Sequence, residues 1–273
     1  MEGDWMNDKP ILGYWDIETS LLLLAAFTRY ELRVPFSMVT QDWFMFCAAI
    51  QYEGKKTKLI SVLDDPKRFK KDFTDDYHVI KELRDFIDSV DILIAHNGDH
   101  FDWKKFKAKL IKYKIKPPRK PILIDTYKES KTAQFTSGKL GDLSIQLDLP
   151  HKSHSNPGDW LIATLPYGVY TIGSKVLTIT VQSKSSAIKR IGTYNVKDIP
   201  PLVNLYKRLR PYMTRHPNLN RAKLDNPGCP VCLSGNKWKE GKRMGVQCYS
   251  CKDCGHKYKD TTAISARKVM YKS

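Results

Sequence analysis

Four carboxylates and a tyrosine stand where a folding chain ordinarily keeps apolar or neutral side chains. Asp16 and Glu18 lie two apart on an otherwise apolar segment that begins Ile11-Leu-Gly-Tyr-Trp. Strand period 2 aims both acids at one face. Asp102 closes the run Ala95-His-Asn-Gly-Asp-His-Phe-Asp102, just ahead of a lysine-rich segment. Tyr194 and Asp198 are four apart, one helical turn, so phenol and carboxylate share a face. Each has an ordinary alternative: a solvated strand end, a helix N-cap, an amphipathic pair. Taken together they predict a divalent-cation site, because clustered carboxylates repel and desolvated ones cost several kcal/mol each unless a cation joins them. Oxygen-only ligation suits Mg²⁺ or Mn²⁺ rather than zinc. Two such ions activate a water and stabilise the leaving oxygen of an in-line phosphoryl displacement, with Tyr194 placed to orient that water or take its proton.

The six cysteines suggest separate chemistry. Cys229-Pro-Val-Cys232 and Cys251-Lys-Asp-Cys254 form two C-x-x-C pairs 18 residues apart, the spacing of a structural Zn²⁺ site. Two disulfides are the rival. The absence of a signal-peptide pattern gives a cytoplasmic expectation and favours the metal. Cys248 offers a second pairing with Cys251, but Gly255 follows Cys254 as a knuckle turn needs. Cys47 reads as a core residue, and none of the seven histidines is assigned a metal role. His96 and His100 neighbour Asp102 and are placed to touch substrate.

The elements that must position these groups follow from hydrophobic period. Strands are predicted at 11–17, 43–52, 57–63, 91–95 and 122–125, with β-hairpin structure across 160–191. Helices are predicted at 77–89, from Asp102 to the break at Pro117-Pro118, and over 193–212. Strands first and helices interleaved imply an α/β sandwich with a mixed sheet. Residues 213–227 are polar and proline-broken. The predicted division is therefore a 1–212 domain, a 213–227 linker and a 228–273 zinc ribbon with a basic tail.

Composition narrows the partners. The chain of 273 residues has a net charge of +17, which calls for an acidic partner. Residues 201–273 carry 16 basic and 4 acidic side chains, and 103–124 carry nine basic and no acidic ones. The longest apolar run, Leu21 to Phe27, falls far short of the roughly 20 residues that span a bilayer. Nucleic acid is the expected partner and membrane is not. A protein partner through the ribbon is the alternative use of that module.

These residues carry a family resemblance. Tyr14-Trp-Asp16-Ile-Glu18-Thr19, Ala95-His-Asn97-Gly with Phe101-Asp102, and Tyr194-Asn-Val-Lys-Asp198 resemble, in order, the three motifs of the DEDDy subclass of DnaQ-like 3′–5′ exonucleases. That subclass belongs to the ribonuclease H-like superfamily. The form Tyr-Asn-x-x-Asp is similar to RNase H-like exonuclease domains related to the proofreading domains of family B polymerases. The resemblance implies an RNase H-like mixed sheet flanked by helices and metal-dependent removal of nucleotides from 3′ ends of DNA or RNA. It makes Asp16, Glu18, Asp102 and Asp198 the ligands of two Mg²⁺ or Mn²⁺ ions and Tyr194 the residue that positions water. Thr19 and Asn97 match positions that contact the terminal nucleotide. Residues 138–152 resemble the family's Leu-rich helix followed by a lysine, here Lys152. Lys104 and Lys105, on the basic helix, are expected to offset phosphate repulsion. The departure is at 160–191, where strands are predicted and the family has helix. The run Val-Gln-Cys-Tyr-Ser-Cys-Lys-Asp-Cys-Gly resembles the zinc ribbons of some transposases. The alternatives are an endonuclease or RNA-trimming enzyme of the same superfamily, which labelled strands would distinguish, and a catalytically silent nucleic-acid-binding protein, which an activity assay would.

Overall fold

The structure, a computed structural model, describes residues 10–26, 34–150, 155–213, 216–217, 228–229 and 234–259. The chain divides into two compact units, Leu12–Leu205 and one joining Met1–Ile11 to Tyr206–Ser273.

The larger unit is built on a five-stranded sheet. Its first strand, β1 (Leu12–Thr19), is followed by a short ribbon of β2 (Leu23–Leu24) and β3 (Val39–Gln41), then β4 (Met45–Tyr52) and β5 (Lys58–Ser61). Helices α1 (Pro66–Lys71) and α2 (Tyr77–Ser89) lead to β6 (Ile92–Ala95), and α3 (Asp102–Lys112) leads to β7 (Ile122–Asp125). The spatial order is β5-β4-β1-β6-β7. β4 runs antiparallel to both neighbours, while β6 and β7 run parallel to β1. This is the mixed α/β sheet with flanking helices that an RNase H-like fold requires. Odd-numbered Trp15 and Ile17 are buried in the core that receives Val79, Ile80 and Leu83 of α2 and Phe106 of α3. Trp15 meets Phe106 edge-on at 6.0 Å.

After β7 come α4 (Thr126–Ser130), α5 (Leu140–Gln146), α6 (Pro157–Thr164), the hairpin β8 (Gly168–Ile172) and β9 (Lys175–Ile179), and α7 (Val181–Leu209). Two sequence expectations are corrected here. The hairpin at 160–191 is confined to 168–179, and α7 begins at Val181 instead of 193. Thr180 and Ser183 form a reciprocal cap in which each backbone N–H meets the other's hydroxyl, at 2.8 and 3.1 Å. Buried Lys184, Ala187, Ile188 and Ile191 then recur at helical spacing. Helix α3 ends at Lys112, short of Pro117-Pro118. Lys114 takes a left-handed turn (φ 55°), Ile115 N–H bonds Leu110 O at 3.0 Å and Lys114 N–H bonds Ile111 O at 3.2 Å, a Schellman ending.

Helix α7 crosses the face of the sheet that carries the even-numbered residues of β1. Gly192, Asn195 and Asp198, spaced by three, meet β5, then β4 and β1, then β1 again. At Gly192 the approach is so close that a Cβ would lie 2.6 Å from Leu59 Cδ2, so any larger residue requires the Leu59 side chain to move aside. Buried Lys184 donates to the carbonyls of Ala163 (2.8 Å) and Leu165 (2.5 Å), closing the C-terminal end of α6 onto the start of α7.

The smaller unit contains a three-stranded antiparallel sheet, β10 (Lys237–Arg243), β11 (Val246–Cys251) and β12 (Lys257–Lys259). Among the described residues no helix is long and apolar enough to cross a membrane.

Candidate metal centre and cleft

Asp16 and Glu18 both stand on the α7 side of β1, and Asp198 reaches them from that helix. One carboxylate oxygen from each of the three lies within 4.8 Å of the others. Asp198 is almost fully buried. An all-oxygen set this close fits a hard divalent cation, for which Asp16, Glu18 and Asp198 would be the ligands.

Asp102 is held differently. The β1–β6 ladder ends at Tyr14–Ile94, which leaves the Ile17 N–H beyond it without a strand partner. Asp102 Oδ1 accepts that N–H at 3.1 Å. Burial first, and the nearby Asp16 carboxylate second, hold the Asp102 carboxyl well above the usual carboxylate range. The structure thus ties Asp102 to the backbone between the two β1 acids, outside the group of three.

Asn195, the second residue of the Tyr-Asn-x-x-Asp form, is fully buried at the centre of the site. Its Nδ2 donates to Asp16 Oδ2 at 2.6 Å. Its Oδ1 accepts from the Cys47 thiol at 3.7 Å. Burial, then the charges of Glu18 and Asp16, push the Cys47 thiol up, so it stays protonated and able to donate. Cys47 thereby fixes which end of the amide faces Asp16. Tyr194 is half-buried, its ring edge-on to Trp160 of α6 at 5.8 Å.

The loop between β6 and α3 forms the next wall. Asn97 is left-handed (φ 62°). Asp125, the last residue of β7, accepts the N–H groups of Asn97 (2.8 Å), Asp99 (3.3 Å) and Tyr127 (3.0 Å). One buried carboxylate therefore caps α4 and shapes the loop, a role invisible in a strand read only by its apolar residues. His96 Nε2 lies 2.9 Å from Gly138 O and carries the proton there, fastening the segment before α5. An open cleft of about 680 Å³ results, lined by Asp16, Asp198, Asn97, His100, Tyr127 and Lys139 among others.

Of the expected substrate contacts, Asn97 lines this cleft. Thr19 and Lys105 engage each other, Lys105 Nζ donating to Thr19 Oγ1 at 3.1 Å with its ammonium 4.0 Å over the Trp43 ring. Lys104 Nζ approaches His100 Nδ1 at 3.3 Å. Lys152 lies outside the described residues. Tyr127, Lys128 and Lys139 also line the cleft, and no spacing in the sequence singles them out.

In the smaller unit the sulfurs of Cys229, Cys251 and Cys254 lie within 4.8 Å of one another. Gly255 (φ 71°) makes the knuckle turn, its N–H bonding Cys251 O at 2.9 Å. Cys232 lies outside the described residues. Cys248 and Cys251 are three apart on one extended strand and so face opposite sides. Cys248 points its thiol at Val246 O, 3.7 Å away.

The RNase H superfamily model matches residues 41–210, and the chain belongs to that superfamily. None of the curated proteins matches the chain. Among solved structures, the family B DNA polymerase from the hyperthermophilic archaeon Pyrobaculum calidifontis aligns with 74% of this chain at 13% identity and a TM-score of 0.49. The chain covers 25% of that polymerase.

Proposed function

We propose that the protein is a metal-dependent 3′–5′ exonuclease acting on DNA or RNA, with a 1–212 catalytic domain, a 213–227 linker and a 228–273 zinc ribbon that binds nucleic acid. The observation that carries the reading is the meeting of Asp16, Glu18 and Asp198 within 4.8 Å. Bound Mg²⁺ or Mn²⁺, two ions in this reading, would supply an activated water and charge stabilisation at the leaving oxygen. Asp102 is proposed as the fourth carboxylate of the centre, beside Asp16, Glu18 and Asp198, with its Oδ1 also holding the Ile17 N–H. Tyr194 orients the attacking water, and Asn97 with the cleft wall receives the terminal nucleotide. The 3′–5′ direction rests on the order of the three DEDDy-like motifs. It is tested with strands labelled at either end: labelled mononucleotide should appear first from the 3′-labelled strand, and internal fragments would indicate an endonuclease instead.

Asn195 acts through Asp16. Replacing it with Leu removes the donor while keeping the branched heavy-atom skeleton, and groups that orient metal ligands typically contribute 10–100-fold to metal affinity or activity. Asn195→Leu should weaken Mn²⁺ binding by about that factor in a calorimetric titration. Unchanged affinity would remove Asn195 from the centre.

Zn²⁺ is proposed on Cys229, Cys232, Cys251 and Cys254, with thiolates kept reduced in a cytoplasmic setting. Four such ligands make a closed structural site whose binding energy is folding energy. Elemental analysis should find one zinc per chain, lost in Cys251→Ser and kept in Cys248→Ser. Equal loss from both would return Cys248 to the ligand set.

A further inference from the structure

The ribbon carries an aromatic ring that no core explains. Trp238 is the only apolar side chain on β10 and is 62% exposed. In the antiparallel ladder Trp238 pairs with Ser250 and Ser250 with Lys257, so the three form one row across the sheet, on one face. Lys252, two residues beyond Ser250, brings its ammonium 3.9 Å from the Trp238 ring. On that face the ladder also places Lys259, opposite Cys248, and Arg243, opposite Val246, with Glu240 the acid nearest Lys257 at 3.7 Å. An indole held open beside several cations meets both needs of an unpaired nucleic-acid strand, a flat surface for a base and positive charge for phosphates.

We infer that this face of the ribbon binds single-stranded nucleic acid by stacking a base on Trp238 while Lys252 and its neighbours neutralise the adjoining phosphates. The inference deepens the reading of the ribbon as a nucleic-acid-binding module and rests on it. Single strands are favoured over duplex because bases inside a duplex already stack on one another and offer no free face, whereas phosphate contacts alone serve both forms. Stacking tolerates any base, so the preference is for strand state and not for sequence. Tethered to the catalytic domain, such a module raises the local concentration of the strand the exonuclease consumes.

The test is fluorescence anisotropy of the full-length protein with a labelled 20-nucleotide single strand and the matching duplex, without magnesium or manganese. Trp238→Ala should weaken single-strand binding about tenfold. It should leave duplex binding and the salt dependence unchanged, with Trp238→Phe recovering most of the loss. Lys252→Gln should lower the slope of log affinity against log salt by about 0.7 for the single strand. Zinc content is measured on each variant, so a collapsed ribbon is recognised by lost metal. Equal losses on single strand and duplex, or no loss in Trp238→Ala, would overturn the stacking role. Wild-type protein that binds neither form would overturn the nucleic-acid reading of the ribbon itself, leaving it a protein-docking module, and hydrolysis sensitive to Asp16→Ala would still stand.

Discussion

Asp198→Asn is expected to lower hydrolysis by about 10³-fold or more, since metal-ion catalysis supplies several kcal/mol and each 1.36 kcal/mol is a factor of ten. The same substitution should make the metal-free protein more stable. Asp198 is buried beside two further carboxylates, and the isosteric amide removes like-charge repulsion without changing shape. A gain of about 1 kcal/mol would raise the melting temperature by about 2–4 °C for a chain of this size. Adding Mg²⁺ should then stabilise the wild type, because an ion that binds only the folded state shifts the equilibrium by mass action, and leave the variant unmoved. Thermal melts with and without Mg²⁺, beside a Mn²⁺ titration, read all three effects. A variant that melts below the wild type in Mg²⁺-free buffer, or binds Mn²⁺ as well, would show that Asp198 is a structural acid.

The largest expected stability effect lies across the sheet. Lys109 of α3 and Asp76, at the start of α2, form a buried ion pair at 2.8 Å. Asp76 also accepts the Met45 N–H at 2.7 Å and the Tyr113 hydroxyl, and Lys109 Nζ donates to Trp43 O at 2.9 Å. Burial pulls the Lys109 ammonium down and Asp76 pulls it back up. Breaking such a pair from one side leaves a desolvated charge. Asp76→Ala should therefore cost about 3–5 kcal/mol, whereas Lys58→Ala, which removes the exposed Lys58–Glu82 pair, should cost about 1 kcal/mol or less. Joint replacement by Leu at 76 and Met at 109 should recover only part of the loss, because two apolar groups leave no orphaned charge while the Met45 N–H and the Tyr113 hydroxyl still lose their acceptor. Urea unfolding of the three variants decides the matter. An Asp76→Ala loss no larger than that of Lys58→Ala would mean that water enters and solvates the lysine.

Helix α2 was legible to the residue, and β1, β6 and β7 nearly so, because each carries a clean apolar period between recognisable ends. Asp16, Glu18 and Asp198 stood out because acids interrupt that period. Helix α7 was half-hidden: Thr, Val and Ile near 180 favour a strand locally, and the Thr180–Ser183 cap that starts the helix uses Ser where a longer acid or amide is the usual signal. The contacts of Asn195 and Asp125 were hidden for a different reason. Their partners are distant in sequence, 179 residues in the case of Asp16 and Asn195, so a motif position and a strand end gave no sign of what each would hold. The cleft residues Tyr127 and Lys139 belong to no period and become neighbours only when the β6–α3 loop folds over Asp125.

The most direct measurement is gel analysis of 5′-labelled single-stranded DNA, with duplex DNA and RNA alongside, incubated with wild type or Asp16→Ala in Mg²⁺ or Mn²⁺. A metal-dependent 3′–5′ exonuclease shortens at least one substrate one nucleotide at a time from the 3′ end, and neither the metal-free protein nor Asp16→Ala does so. Degradation that survives Asp16→Ala, or wild-type protein inert toward every substrate with both metals, would contradict it.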